Sequence, residues 1–465
     1  MKKVKHNTNT VPSGYLFSNT DIRKLIFPLI IEQILTVFVG MVDSMMVSSC
    51  GEAAVSGVSL VDTVNVLIVN IFTALATGGA VVCGQFLGMK NEHEAKKSAN
   101  QLMLFTTFLA VIVMAVLYLL RGFILGTVFG SIDENVEGFA NTYFLIVSAA
   151  VPFIGIYNAA AALFRAQGNS KVSMYISLLM NAVNICGNAI LIYGFDMGVA
   201  GAAIPTLVSR ILAAVIMLKM ISNQKLQLCI SKPFSLKPDF GMIRRILRIG
   251  VPNALENSMF QLGKILTVSI VTTFGTTHIT ANAVCNVIAQ FQIIPGMAIG
   301  QGILTIVSQC VGANDYREAH YYVKKLLKIL YGAAAVFSLI INLLMPVIIR
   351  GYNLSPETSR LTYEIIWYHT VCVCTYWAFS FAVPNALRAA NDVMFPMLVS
   401  AFSMWIFRVG ASFVIARWLG LGAMGVWIAM TIDWAVRGVF FTIRYRRTIV
   451  GRTKSPLPSP VRAEP

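Results

Sequence analysis

Residues 25–49 read LIFPLIIEQILTVFVGMVDSMMVSS. A bilayer core is crossed by roughly 20 apolar residues in a helix, so this run is long enough to span one. Only Glu32 and Asp43 are charged in it. A carboxylate at the centre of such a run costs about 2.5–3.5 kcal/mol to insert, so it has either a job or a partner. Asp43 therefore reads in one of two ways. It sits near a helix end or pairs with a neighbouring helix, or it binds what the protein moves.

The whole chain fits this setting. It has 465 residues, 57% hydrophobic and 12% charged, with mean hydropathy +0.72. A soluble fold of this length needs far more polar surface. The first 24 residues are polar and basic and lack the apolar core and small-residue site of a cleaved leader, so the first run is expected to be a permanent span. Twelve apolar runs can be counted, with the fourth at 141–164 and the seventh at 246–273. The net charge of +16 is unevenly placed. Of 36 Lys and Arg, 29 fall in the tails and in alternate connections, four in the other set, and three (Arg210, Lys264, Arg408) inside runs. Positive residues mark the cytoplasmic side, so both termini are expected there, in a multi-pass protein of the cell's inner (plasma) membrane. The basic balance reports topology and gives no reason to expect a nucleic-acid partner. The eight cysteines show neither metal spacing nor a disulfide framework.

An internal repeat organises the chain. At an offset of 224, Pro28, Glu32, Gly51, Gly78, Gln85 and Gly88 meet Pro252, Glu256, Gly275, Gly302, Gln309 and Gly312. Arg165 meets Arg388 at 223, and Gly198 meets Gly422 at 224 again. Six spans followed by six, both sets entering from one side, make parallel repeats. The expected fold is all-α: twelve transmembrane helices in two six-helix lobes. The expected divisions are a cytoplasmic tail at 1–24, an N-lobe at 25–221, a cytoplasmic linker at 222–245, a C-lobe at 246–443, and an unstructured cytoplasmic tail at 444–465.

These residues resemble a known family. Pro28-Leu-Ile-Ile-Glu32, Val39-Gly-Met-Val-Asp43, Gly51 to Gly57, Gln85-Phe-Leu-Gly88, the run at 198–203 and Leu-Arg-Ala around Arg388 are similar to the multidrug and toxic compound extrusion (MATE) family. The resemblance implies a secondary antiporter. Inward sodium or proton movement would drive export of cationic, amphipathic compounds, with no cofactor and no enzymatic reaction. It also implies a cation site of Asp43, Asn184, Asn188 and Thr206, with Asp43 its only carboxylate. Carboxylates that other members carry in spans 7 and 10 fall on Phe260 and Trp377, which leaves no evident ion site in the C-lobe.

The residues themselves support a monovalent site. Asn184 and Asn188 are four apart and share a helix face. One carboxylate with neutral amide and hydroxyl oxygens suits sodium or a proton better than a divalent metal. The alternative is that the two amides bridge helices. Glu32 and Glu256 occupy matching positions and read as structural or gating residues, although Glu32 shares a face with Asp43. Asp43 repeats as Thr267, Asp62 as Asn286, Asn184 as Phe407 or Arg408, and Thr206 as Met430. Asp62 is a further cavity acid, and Lys264, with Arg408, a fixed cation in the C-lobe. Asp433 and Arg437 are spaced to pair, and His369 reads as hydrogen-bonded core. Besides substrates and membrane lipids no partner is expected, and the protein is expected to be a monomer. Two rival readings stand. A flippase for lipid-linked saccharides would use a cleft lined by Arg210, Lys264 and Arg408. A membrane enzyme or receptor would need a phosphate loop or nucleophile set, and none is evident.

Overall fold

The computed structural model describes residues 15–128, 133–230 and 237–454. All the described elements are helical. Twelve helical spans succeed one another: α1 Asn19–Ser48, α2 Glu52–Gly88, α3 Glu92–Leu119, a broken α4 (Glu134–Ser148 and Val151–Ala166), α5 Ser170–Gly194 and α6 Gly198–Ile221. The second six are α7 Phe240–Thr272, α8 Thr276–Gly312, α9 Tyr316–Tyr352, α10 Pro356–Ala389, α11 Met394–Trp418 and α12 Gly422–Thr453. Ten are long and apolar enough to cross a membrane, and the α4 pair, bent by 47°, makes an eleventh. The exception is α7. It carries Arg244, Arg245, Arg248, Glu256 and Lys264, and takes in its half the position of α1. Large apolar side chains face outward along the bundle, among them Phe27, Phe108, Leu119, Leu343 and Trp418. Such a surface is solvated by lipid, and this is a multi-pass membrane protein.

The repeat extends to single backbone positions. Gly51 and Gly275 begin α2 and α8 at φ 102° and 90°, where a side chain would be strained. Lys90 and Asn314 follow the ends of the same helices at φ 57° and 58°. The Asn91 side chain caps Glu94 and the Asp315 side chain caps Glu318. The slip from 223 back to 224 falls in the turn before α11: the positive-φ residues Gly168 and Asn391 are 223 apart, while α5 and α11 begin and end 224 apart. α11 holds two π-helical stretches, Met404–Gly410 and Phe413–Trp418. Its counterpart α5 holds one, Ala189–Gly194.

Two expectations need correction. The fourth span is not a straight run at 141–164. It breaks around Ala149 and Ala150, and Pro152 begins its second limb, where a proline's missing N–H costs nothing. The chain after 444 is helical as far as Lys454: Arg452 donates to the Tyr316 hydroxyl at 2.6 Å and Arg317 to the Thr453 carbonyl at 3.0 Å. The remainder of that tail lies outside the described residues.

The lobes meet at the end of the bundle where the chain begins and finishes. A Cβ at Gly88 would collide with the Gln309 carbonyl, and one at Gly312 with the Gln85 carbonyl. Gln85 donates to the Ala389 carbonyl at 2.9 Å, and its repeat partner Gln309 donates to the Ala166 carbonyl at 2.7 Å. Arg245 donates to Gln85 Oε1 at 3.1 Å. Deeper in, Gly78 lies against the backbone of Gly250. The N-terminal strap adds to the closure: Phe17 exchanges hydrogen bonds with the Tyr322 hydroxyl at 2.8 and 2.6 Å. These contacts shut one end of the cleft. Gly88→Leu or Gly312→Leu should pry it open, lengthening by several ångströms the distance between spin labels at His93 and Ala313, measured by pulsed electron resonance.

Candidate functional site

The N-lobe brings Asp43, Asn184, Asn188 and Thr206 together. Asp43 projects from the last turns of α1. Asn188 Nδ2 donates to Asp43 Oδ1 at 2.9 Å. The Asn184 amide, turned with its nitrogen toward Asp43, donates to both carboxylate oxygens at 2.9 and 3.1 Å. In that orientation its oxygen accepts from the Thr206 hydroxyl at 3.0 Å. The helix-bridging alternative and the ion-site alternative thus share the same residues. One atom is left over: Asn188 Oδ1 is buried with no hydrogen-bond partner. A buried orphan acceptor beside a carboxylate is a ready ligand for a cation or a proton donor.

Asp43 is not alone in its cavity. A space of about 450 Å³ between the helices is lined by Asp43, Asn188 and Thr206 and also by Asp62, Asn65, Asn181, Tyr143 and Arg210. Asp62, on α2, the further cavity acid of the sequence reading, shares this cavity with Asp43. Tyr143 donates to Asp62 Oδ1 at 3.3 Å, and Arg210 reaches Asn65 Oδ1 at 3.5 Å. Of these, Arg210 was legible only as a charge inside a span, although it stands four residues after Thr206 on the same face. Asn181 continues the stripe that Asn184 and Asn188 begin. Tyr143 comes from another helix, and no spacing along the chain points to it. Among the described residues no cluster of three His, Cys, Asp or Glu side chains is close enough to hold a metal ion.

Glu32 and Glu256 do not line this cavity. Each is buried and tied to an arginine of its own lobe. Arg165 Nη1 lies 3.5 Å from Glu32 Oε1, and Ser173 donates to Oε2 at 2.9 Å. Arg388 Nη2 lies 2.7 Å from Glu256 Oε2, Ser400 donates to Oε1 at 2.7 Å, and Arg437 Nη2 approaches Oε1 to 3.7 Å. Each pair joins the lobe's first helix to its fourth.

The C-lobe has no counterpart acids at the expected positions. Phe260 packs edge-on against Phe381, which stacks on Trp377 with ring centroids 4.8 Å apart. Lys264 and Arg408 line a small space of about 30 Å³ within the C-lobe. Arg210 lies in the other lobe, so the three in-span cations do not line one cleft. Asp433 and Arg437 pair at 3.8 Å. His369 is buried, bonded to Gln292 Oε1 at 2.5 Å and set edge-on to Trp427, as a core histidine.

Breaking a buried pair by removing one partner costs about 3–5 kcal/mol. Glu256→Gln strands two arginines and should lower the thermal unfolding midpoint of the purified protein. Glu32→Gln, which strands one more distant arginine, should lower it less.

With this geometry in hand, comparison with known proteins is informative. The MatE family model matches residues 28–190 and again 252–414, offset by the same 224 residues as the internal repeat. An uncharacterized transporter of Bacillus subtilis (strain 168), YisQ, is 27% identical over 433 residues, covering 91% of this chain and 93% of its own. A probable multidrug resistance protein of Thermotoga maritima, NorM, is 25% identical over 420 residues, 88% of each chain. A solved structure described as an outward-facing conformation of a multidrug resistance MATE family transporter of the MOP superfamily superposes with TM-score 0.87 at 19% identity, over 94% of this chain and 96% of that one. This last likeness concerns the fold.

Proposed function

The chain belongs to the MatE family of transporters, and from that premise we propose that it exports cationic, amphipathic small molecules in exchange for sodium ions or protons entering at Asp43. The observation that carries this reading is the charge of the N-lobe cavity. Two carboxylates, Asp43 and Asp62, face one guanidinium, Arg210. With all three ionised, one negative charge is uncompensated. One monovalent cation neutralises it, and so does one proton on Asp43. A divalent ion overshoots. A singly charged organic cation neutralises it equally well, so ion and substrate compete for one charge. Competition of this kind is what obliges a carrier to exchange them.

The cavity suits such a substrate. Its 450 Å³ falls within the range of small-molecule sites. Its walls are largely apolar, with Val39, Val47, Val58, Val69 and Met180 facing the polar cluster. Relatives named as probable multidrug resistance proteins support the substrate class. The basic end of the bundle is the cytoplasmic one in this reading, and the protein sits in the plasma membrane as a monomer surrounded by lipid. The closed end then faces the cytoplasm, and the cleft opens outward. The flippase reading loses its main support, because Arg210 lines the N-lobe cavity while Lys264 and Arg408 line a separate, much smaller space.

Transport by purified protein in liposomes tests the assignment, with sodium and pH gradients imposed separately. Asp43→Asn should reduce gradient-driven export of an organic cation at least tenfold. Glu256→Gln, compared per mole of folded protein, should keep much of it. Equal losses in the two variants would refute coupling through the N-lobe.

A further inference from the structure

The C-lobe contains its own version of the N-lobe cavity, with the charge reversed. At the repeat offset of 224, Gly40, Asp43, Asp62, Asn184 and Thr206 fall on Lys264, Thr267, Asn286, Arg408 and Met430. The latter five line one space of about 30 Å³. Both acids have become neutral hydrogen-bonding groups, and two uncharged positions have become cations.

These cations lack counter-ions. The Lys264 ammonium makes no hydrogen bond and no ion pair among the described residues; its carbonyl accepts from the Thr267 hydroxyl at 2.9 Å. Arg408 is 5% exposed, yet its Nε and Nη1 have no hydrogen-bond partner. The Phe260 ring covers the guanidinium at 4.8 Å, which leaves its edge as the place for an acceptor. Its nearest carboxylate, Asp433, stands 3.9 Å from Nη1 and is already shared with Arg437 and with the Ser403 hydroxyl. Glu256 is spent on Arg388 and Arg437. The interior of this lobe thus sets Lys264, Arg388, Arg408 and Arg437 against Glu256 and Asp433 alone. Two positive charges are left over in a region where an unpaired charge is expensive.

We propose that the space between Lys264 and Arg408 binds a small monovalent anion of chloride size. The Lys264 ammonium and the free N–H groups of Arg408 are donors of the right kind for it, with the second amide proton of Asn286, whose first goes to the Asn282 carbonyl at 2.8 Å. The Thr267 hydroxyl is spent on the Lys264 carbonyl and contributes only its side of the wall. The competing acceptor Asn282 Oδ1 is occupied by Trp427 Nε1 at 3.0 Å. A space of about 30 Å³ holds one small ion in place of a water and little more. The two lobes then hold ions of opposite sign at equivalent places. The anion is a resident of the C-lobe, while the N-lobe cation turns over.

The test uses the purified full chain in detergent, with sodium held constant and gluconate exchanged for chloride. A ligand that binds only the folded state raises the unfolding midpoint with its concentration. The wild type should show a rising, saturable chloride response. Lys264→Gln should lose it, raising the half-saturating chloride concentration at least tenfold. Thr267→Asp places a carboxylate beside Lys264, where Asp43 stands in the other lobe. It should unfold at a high midpoint in gluconate and gain nothing from chloride. Asp43→Asn should keep the chloride response, so a failure of the N-lobe reading is distinguishable from a failure here. No chloride response in the wild type, or an equal one in Lys264→Gln, overturns the proposal. Should Lys264→Gln not fold, the Thr267→Asp arm decides alone, and an undiminished response there is fatal to it.

Discussion

A charge buried among transmembrane helices must be answered by the protein itself, because lipid cannot solvate it. That requirement decides where each helix of this bundle can sit. Glu32 fixes α1 against α4 through Arg165, and Glu256 fixes α7 against α10 through Arg388. Both pairs lie toward the end where the lobes are pressed together. Asp43 is answered differently. Its partners are the neutral amides of Asn184 and Asn188, which steady the carboxylate without cancelling its charge. The first two acids are therefore tied into the architecture, and the third keeps a charge that the proposed exchange would use.

The same division explains the interlobe contact. Helices that must move against one another need a seam with few obligatory side-chain interlocks. The crossing of α2 with α7 and α8 is made at Gly78, Gly250, Gly88 and Gly312, where backbones touch directly. The Gln85 and Gln309 amides bond to backbone carbonyls of the opposite lobe by the same pattern in both directions. Such bonds can be exchanged for water at modest cost, about 0.5–1.5 kcal/mol each. Within each lobe the buried ion pairs cost several times more to break. The seam is therefore weaker than either lobe, which is the physical condition that rocking about a central cleft, as the proposed exchange requires, would need.

Much of this was legible in the sequence, for definable reasons. The offset of 224 is visible because prolines and glycines at helix ends and crossings tolerate little replacement. Asn184 and Asn188 are visible because two amides four residues apart must share a face. Asp62 was visible as a further cavity acid, but its nearness to Asp43 and Arg210 was not. Periodicity orders residues around one helix and is silent on which helix faces which. Tyr143 and the grouping of Arg210 with the acids escaped for that reason. The break in α4 escaped because apolar residues run through it, with only Pro152 as a sign. The seventh span was visible at 246–273, and its charged residues are what keep α7 below the apolarity of the other spans.

The count of free charges sets what the exchange can accomplish. On the proposed coupling through Asp43, Arg210 offsets one of the two cavity carboxylates, so one ion would be taken up per cycle. If that ion and the departing substrate are both monovalent, no net charge crosses. The roughly 2.3 kcal/mol available per charge at 100 mV then cancels. What drives export is the ion's concentration ratio, worth about 1.4 kcal/mol for each tenfold step. A hundredfold inward gradient can sustain no more than a hundredfold outward accumulation of a monocation. A neutral or zwitterionic substrate would escape this limit, because its exchange moves one positive charge inward and recovers the voltage contribution. Within one cavity, then, the charge borne by the substrate determines how steeply it can be expelled.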